Sequence, residues 1–282
     1  MKFQSFNAVI STTHDPKYSF FLPIVSYCWH KLGVKVICFT PETSNEIELQ
    51  QMALITGTCY NEGFPFERYN FKAPKHKEAT YAQCSRLYAG CLDLPDDEIV
   101  YTSDVDMAVF QLPACDNYAM VTITGYDLVP RNQFPMCYIA ATCKLWREIF
   151  EVNYKGLQEC LDELLSSRDS LSMRSDFWCL DQEVAYNKIY AYQSKHSAVT
   201  PSYMRTKNMS NQFATKRYDR DDAYILDRLS PDTIDFHMPR PGYSDESFNK
   251  IITILQYHYP NDNFDWLVHY TSEFVKTLNI EN

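Results

Sequence analysis

The chain has 282 residues, enough at roughly 100–200 residues per domain for one large domain or one domain with an extension. Its 45% apolar and 15% aromatic residues suffice for a core, and a net charge of −10 argues against a non-specific nucleic-acid binder, which needs Lys and Arg to displace phosphate counterions. With only 7 glycines and neither GxGxxG nor GxxxxGKS/T, the two commonest phosphate-cradling loops are excluded, so any bound phosphate must be neutralised by other means, such as a metal held by carboxylates.

The elements follow in chain order. Phe6–Ser11 is a β-branched run and predicts a buried strand. Ser19–Leu32 carries apolar residues at helical spacing and stops at Gly33. Val34–Phe39 predicts a second strand, Glu46–Thr56 a helix, and Thr58–Tyr60 a short strand. Thr80–Leu92 predicts a helix ended by Leu94-Pro95. Glu98–Thr102 is a strand running into Ser103-Asp104-Val105-Asp106. Tyr118–Thr124 and Met136–Ala141 predict strands; Lys144–Val152 and Leu157–Ser166 predict helices. Asp176–Tyr190 is a helix with a polar face, and Ser194–Asp222 is polar and irregular. Ile225–His237 predicts two short strands around Ser230-Pro231-Asp232. Asp245–Tyr257 and Asp265–Leu278 close the chain as helices.

Strands alternating with helices predict an α/β fold, a mostly parallel twisted sheet with helices on both faces. Ligands of such sheets bind beyond the carboxyl ends of the strands. The sharpest polar clusters, Ser11–Asp15 and Ser103–Asp106, both follow strands and are expected to converge on one crevice. The ten cysteines contain no CxxC pair or zinc spacing and predict free, mostly buried thiols of a reducing compartment. No apolar run approaches the ~18 residues of a membrane span, and the start MKFQSFNAVISTTHD is too polar for a secretion signal, so a cytoplasmic protein without membrane insertion is expected.

Asp104 and Asp106 carry the most specific chemistry. Residues i and i+2 of an extended segment face one side, so two carboxylates meet at a strand end, where their repulsion calls for a cation. Hard divalent ions such as Mn²⁺ or Mg²⁺ prefer such oxygen ligands. A solvated acidic turn carries the same pattern; the apolar residues on both sides, and the upstream helix with Ser85, Arg86 and Tyr88, favour a site.

The stretch from Cys84 to Phe110 (CSRLYAGCLDLPDDEIVYTSDVDMAVF) resembles the core of the GT-A-fold glycosyltransferases. Trp178 to Ile189 (WCLDQEVAYNKI) resembles the helix of that family that presents a catalytic carboxylate. Asp235 to Tyr243 (DFHMPRPGY) resembles the segment where a late histidine joins the metal. The resemblance covers roughly residues 1–245 as a GT-A catalytic domain, with 246–282 as a helical extension packed on it. A narrower likeness is to enzymes that large algal viruses, the chloroviruses, encode for capsid glycan synthesis in the host cytosol, one group of which transfers xylose.

The resemblance implies a glycosyltransferase that moves a sugar from a nucleotide donor, UDP by family habit, to a glycan hydroxyl. It implies Mn²⁺ or Mg²⁺ on Asp104, Asp106 and His237. Thr12, Thr13, His14, Arg86, Ser103, Asp104, Val105 and Arg240 would contact the nucleotide sugar. Asp181 would be the base of an inverting transfer, with Asp176 and Glu183 as competitors. Asp127 and Trp178 would meet the acceptor, and the Phe134–Tyr138 stretch would wall it or pack in the core. The other readings are a different metal-dependent phosphate enzyme, a nucleotidyltransferase or phosphohydrolase, and a non-catalytic sugar-binding protein. STTHDPKYS lacks the glycine of a nucleotidyltransferase loop, and an inactive relative is expected to have lost one of Asp104, Asp106 and Asp181.

Overall fold

The computed structural model describes residues 5–113, 121–123, 131–152, 154–169, 177–196, 202–203 and 217–278. Four strands lie side by side in parallel: β3 (Phe66–Phe71), β2 (Lys35–Pro41), β1 (Phe6–Ser11) and β4 (Ile99–Thr102). The sheet continues through β7 (Ile139–Thr142), β6 (Thr122–Ile123) and β8 (Ser202–Tyr203), and β7 alone runs against the rest. A second sheet joins β5 (Met107–Val109), β10 (Asp235–His237) and β9 (Arg217–Tyr218).

The period-two alternation of a strand explains why the central strands read as unbroken apolar runs. Ala8 and Ile10 of β1, Val36 and Cys38 of β2 and Tyr101 of β4 feed one core, while Val9, Ile37, Phe39 and Val100 feed the core on the opposite face. The first core is covered by α2 (Leu22–Lys31), α3 (Glu46–Asn61), α8 (Asp245–His258) and α9 (Asp265–Leu278). The second is covered by α4 (Glu78–Ser85), α5 (Cys143–Ile149), α6 (Leu157–Asp169) and α7 (Leu180–Lys195). The two closing helices insert Ile251, Leu255, Leu267 and Phe274 into the same core as Phe20 and Trp29, and Tyr270 donates to the Phe20 carbonyl at 2.9 Å. Each such apolar side chain contributes about 1.5–3 kcal/mol on burial.

Several local expectations are corrected. Thr58–Tyr60 is not a strand but the last turn of α3, which Asn45 caps by accepting from the Ile47 and Glu48 amides and which ends before Gly63 at φ 70°. β3 went unpredicted because its four central residues are exposed, as suits an edge strand. The Ser19–Leu32 helix divides into α1 (Pro16–Ser19) and α2, with Pro23 in the first turn of α2. Thr80–Leu92 becomes α4 followed by a 3₁₀ segment, Arg86–Cys91, kinked at Tyr88. Ile225–His237 holds one 3₁₀ turn, Ile225–Arg228, and one strand, β10, which pairs with β5 and β9 rather than with its own neighbour. Only Thr122 and Ile123 are described as a strand within Tyr118–Thr124, and the Met136–Ala141 strand begins at Ile139 because Tyr138 sits at φ 75°. Every described cysteine is a free thiol, and Cys115 lies outside the described residues. Among the described residues no helix is long and apolar enough to cross a membrane.

Candidate active site

The cleft forms where β1 and β4 end. Their ladder continues one step beyond the strands, with the Ser103 amide donating to the Val9 carbonyl at 3.0 Å, and the Thr12 amide donates to Phe39 at 3.1 Å. A turn at Val105-Asp106 after β4 then sets Asp104, Val105 and Asp106 along the cleft before β5 starts. Antiparallel pairing of β5 with β10 sets His237 opposite Met107, and the Met238 amide donates to the Asp106 carbonyl at 2.9 Å. The imidazole thus arrives beside a carboxylate 131 positions earlier by strand register alone. β9 is tied to β10 by Arg217, whose guanidinium grips the buried Asp235 carboxylate at 2.7 and 2.8 Å. That pairing carries Arg220, two residues past β9, to the same end of the sheet.

Arg86 organises the floor of the cleft. It is buried, and it donates to the Ser103 carbonyl at 3.0 Å, to the Asp104 carboxylate, and to Asp181 at 2.8 Å. Asp181 lies in the first turn of α7, 2% exposed, and its second oxygen accepts from the Gln182 amide at 2.9 Å. Burial pushes the Asp181 carboxyl up to about 6, with Arg86 pulling the other way and Asp104 adding repulsion. A buried carboxyl poised near neutrality beside an open cleft suits a group that exchanges protons.

Asp106 forms a second charged focus. Its Oδ2 lies 3.2 Å from Arg220 Nη1, 3.3 Å from His237 Nε2 and 3.4 Å from Arg240 Nε. Burial alone would raise this carboxyl; His237, Arg240 and Arg220 outweigh it and hold it below the usual carboxylate range. Arg240 is further steadied by stacking over the Tyr18 ring, 4.6 Å from its centre, and by donating to the Tyr18 hydroxyl. The oxygen and imidazole donors of Asp104, Asp106 and His237 suit Mn²⁺ or Mg²⁺ in type. In the arrangement described, however, no three His, Cys, Asp or Glu residues among the described residues come together closely enough to hold a metal. Both carboxylates are paired with arginines instead: Arg86 contacts Asp104, and Arg220 and Arg240 contact Asp106.

Of the residues expected from the sequence, Thr12, Thr13, Arg86, Asp104, Val105, Asp106, Trp178, Asp181, His237 and Arg240 all line one cleft of about 270 Å³. Ser103 sits behind it, fully buried, and contributes its carbonyl to Arg86. His14 is not brought into this cleft; its Nε2 faces the Pro41 carbonyl at 2.8 Å, and it lines an adjoining recess shared through Thr13. Asp127 and Asp176 lie outside the described residues, and Glu183 does not reach the cleft. Phe134 packs between Tyr186 and Tyr190 with ring centres at 5.1 and 5.7 Å, so it belongs to the core and not to an acceptor wall. Trp178 stands 61% exposed on the rim. The sequence reading missed Arg220, Gln182, Gln83 and Tyr18, which also line the cleft. The Gln182 Oε1 atom is buried and has no hydrogen-bond partner among the described residues. The signal for Gln182 was its adjacency to Asp181; Arg220 had none, since Asp219–Asp222 reads as a solvated charged loop.

The structure therefore defines an α/β protein with a cleft of paired carboxylates and arginines at the carboxyl ends of its central parallel strands. No family model and no curated protein matches the sequence. Among solved structures, the chain is similar to the galactosyltransferase LgtC in complex with donor and acceptor sugar analogs, at 12% identity and TM-score 0.49 over 92% of this chain and 98% of that one. It is also similar to the apo-form glycosyltransferase GlyE of Streptococcus pneumoniae TIGR4, at 13% identity and TM-score 0.47, covering 97% of this chain and 64% of GlyE. An active-site mutant of LgtC is similar at 11% identity and TM-score 0.49, over 88% and 95% of the two chains.

Proposed function

We propose that the chain is a GT-A-type glycosyltransferase that moves a sugar from a nucleotide donor, a UDP-sugar, to a glycan hydroxyl. The observation that carries this reading is the meeting of Asp104, Asp106, Arg86, Asp181 and His237 in one cleft at the strand ends, drawn from four separate parts of the chain. In this reading the nucleotide lies along Thr12 and Thr13, and the diphosphate meets the cationic groups around Asp106. The sugar rests between Asp104, Arg86 and Asp181, and Trp178 offers an apolar face to the acceptor at the rim. A divalent cation on Asp104, Asp106 and His237 would stabilise charge on the leaving diphosphate.

The residues themselves have defined tasks. Asp181, with its carboxyl near 6, is ionised at neutral pH and takes the proton of the acceptor hydroxyl as that oxygen attacks the anomeric carbon. The bond from that carbon to the diphosphate breaks, and the diphosphate leaves with its electron pair. Attack opposite the leaving group inverts the anomeric centre. Arg86 keeps Asp181 and Asp104 in place and charged.

Calorimetry with UDP-xylose, UDP-glucose, UDP-galactose and GDP-sugars, each with Mn²⁺ and with EDTA, tests the donor. UDP-xylose comes first because the algal-virus resemblance names xylose. Binding of one UDP-sugar that EDTA abolishes, and loss of turnover in Asp106→Asn, support the proposal. Failure of every nucleotide sugar to bind overturns it, and a product of retained configuration by NMR overturns the base role of Asp181.

A further inference from the structure

We propose that Cys91 and Cys160 are a disulfide-forming site, oxidised by peroxide to a reversible staple that fastens the segment carrying Arg86 to α6. This inference is independent of the nucleotide-donor reading. The two thiols lie 69 positions apart, at the end of the 3₁₀ segment Arg86–Cys91 and in the first turn of α6, and their Sγ atoms stand 3.8 Å from each other. A disulfide needs about 2.05 Å, so the sulfurs must close by roughly 1.8 Å, which rotation about the two Cα–Cβ bonds and a small shift of one helical turn can supply.

Both sulfurs are held in place by their surroundings. Arg147 of α5 donates from Nε to the Gly90 carbonyl at 3.1 Å, and from Nη2 to the Leu92 and Leu94 carbonyls at 3.0 and 2.7 Å, gripping the chain on both sides of Cys91. On α6, Gln158 bonds the Lys72 amide at 2.6 Å and the Lys72 carbonyl at 3.1 Å, and Asp162 accepts from the Tyr81 hydroxyl at 3.1 Å. Two thiols fixed in contact react with each other in preference to thiols that must first diffuse together.

Access to the pair is asymmetric. Cys91 is half-buried and Cys160 is 4% exposed, so an oxidant reaches Cys91 first. The Cys91 thiolate attacks one oxygen of the peroxide, the O–O bond breaks, and Cys91 becomes a sulfenic acid while the departing hydroxide leaves as water. The Cys160 thiolate then attacks the Cys91 sulfur, the S–O bond breaks, and a second water leaves. Two thiols thereby lose two electrons and two protons, and the peroxide is reduced to two waters. Burial pushes both thiols up, so the reaction runs through a small thiolate fraction and answers prolonged exposure to oxidant.

The test exposes the full chain to hydrogen peroxide, alkylates the remaining thiols after denaturation and maps disulfides by peptide mass spectrometry. Thermal unfolding is measured on the same samples with and without dithiothreitol. The expected result is a linked pair of peptides holding Cys91 and Cys160, separated again by dithiothreitol. The melting temperature should rise by about 5 °C or more on oxidation, because the bond closes a loop of about 70 residues. Cys91→Ser and Cys160→Ser should each abolish the link and the rise, whereas Cys143→Ser, which removes a thiol neighbouring Cys91, should keep both. The wild-type map decides even where Cys160→Ser, at a buried position, fails to fold. A link through another cysteine, a Cys91 driven to sulfinic acid with Cys160 still alkylated, or no link while the chain stays folded overturns the site. A Cys91–Cys160 link that leaves the melting temperature unchanged overturns the staple.

Discussion

Replacing Arg86 by methionine removes a buried charge from between two carboxylates while keeping most of the side-chain volume. Breaking a buried ion pair by deleting one partner costs about 3–5 kcal/mol, because the other charge is left uncompensated. Here the two legs differ. Asp104 is 39% exposed, so water screens its loss and its share is small; Asp181 is 2% exposed and carries nearly all of the cost. Asp181 already titrates near 6 with Arg86 pulling its carboxyl down, so in Arg86→Met it titrates higher still. The sign follows: a carboxyl whose folded pKa is raised above its unfolded value of about 3.9 stabilises the fold most when protonated, and that stability is lost as pH rises through the folded pKa. Above about pH 6 the wild type has already lost its proton, while the variant goes on losing about 1.4 kcal/mol of stability per pH unit until its own higher pKa is passed. Urea unfolding at pH 5.5 and pH 8 should therefore show a deficit that is larger at pH 8. Adding Asp181→Asn to the variant should recover a good part of the pH 8 deficit. A deficit equal at both pH values, or no recovery in the double variant, would refute the assignment of Asp181 as the burdened partner.

If Asp181 is the base, kcat/KM should fall about tenfold per pH unit below pH 6 and level above it, with Asp181→Asn losing most of kcat; a flat wild-type profile from pH 5 to 7 would remove Asp181 from proton transfer. Gly90→Ala should lower stability by about 1–3 kcal/mol in thermal unfolding, because its new Cβ would stand 2.8 Å from the Arg147 backbone nitrogen, which cannot step aside. Gly57→Ala, inside α3 with open space around its new methyl, should instead stabilise by about 0.5–1 kcal/mol. Trp178→Ala should raise the acceptor KM and leave the melting temperature nearly unchanged, since the ring is 61% exposed on the rim; an unchanged KM for every acceptor would exclude a platform role.

Much of the frame was legible because it is written in local pattern. β1, β2 and β4 are buried on both faces, so each carries a continuous apolar run, Ala8–Ile10, Val36–Phe39 and Ile99–Tyr101, and α2, α8 and α9 repeat apolar residues at helical spacing. β3 escaped because the four central residues of this edge strand are exposed, and the 3₁₀ segment after α4 escaped because it packs against α5, close at Gly90, a tertiary contact that leaves no local pattern. The same division runs through the cleft. Asp104 and Asp106 stand out because both chemistry and position lie within four residues of one strand end. Asp181 and His237 were reached only through resemblance, and Arg220 was not reached at all.

The reason is geometric. Asp106 and Arg220 meet because β5 pairs with β10, β10 with β9, and Arg217 locks β9 to Asp235, three contacts none of which leaves a period in the sequence. A carboxylate at a strand end announces that it needs a counter-charge, and it does not announce which residue supplies it. In this cleft the counter-charges are arginines on both carboxylates, one fixed and two bordering open space. Side chains far apart in sequence supply the compensation here, so the acidic motif by itself does not tell how its charge is balanced. The arginines are held to different degrees: Arg86 donates to the Gln83 and Ser103 carbonyls, to Asp104 and to Asp181, whereas among the described residues Arg220 is paired with Asp106.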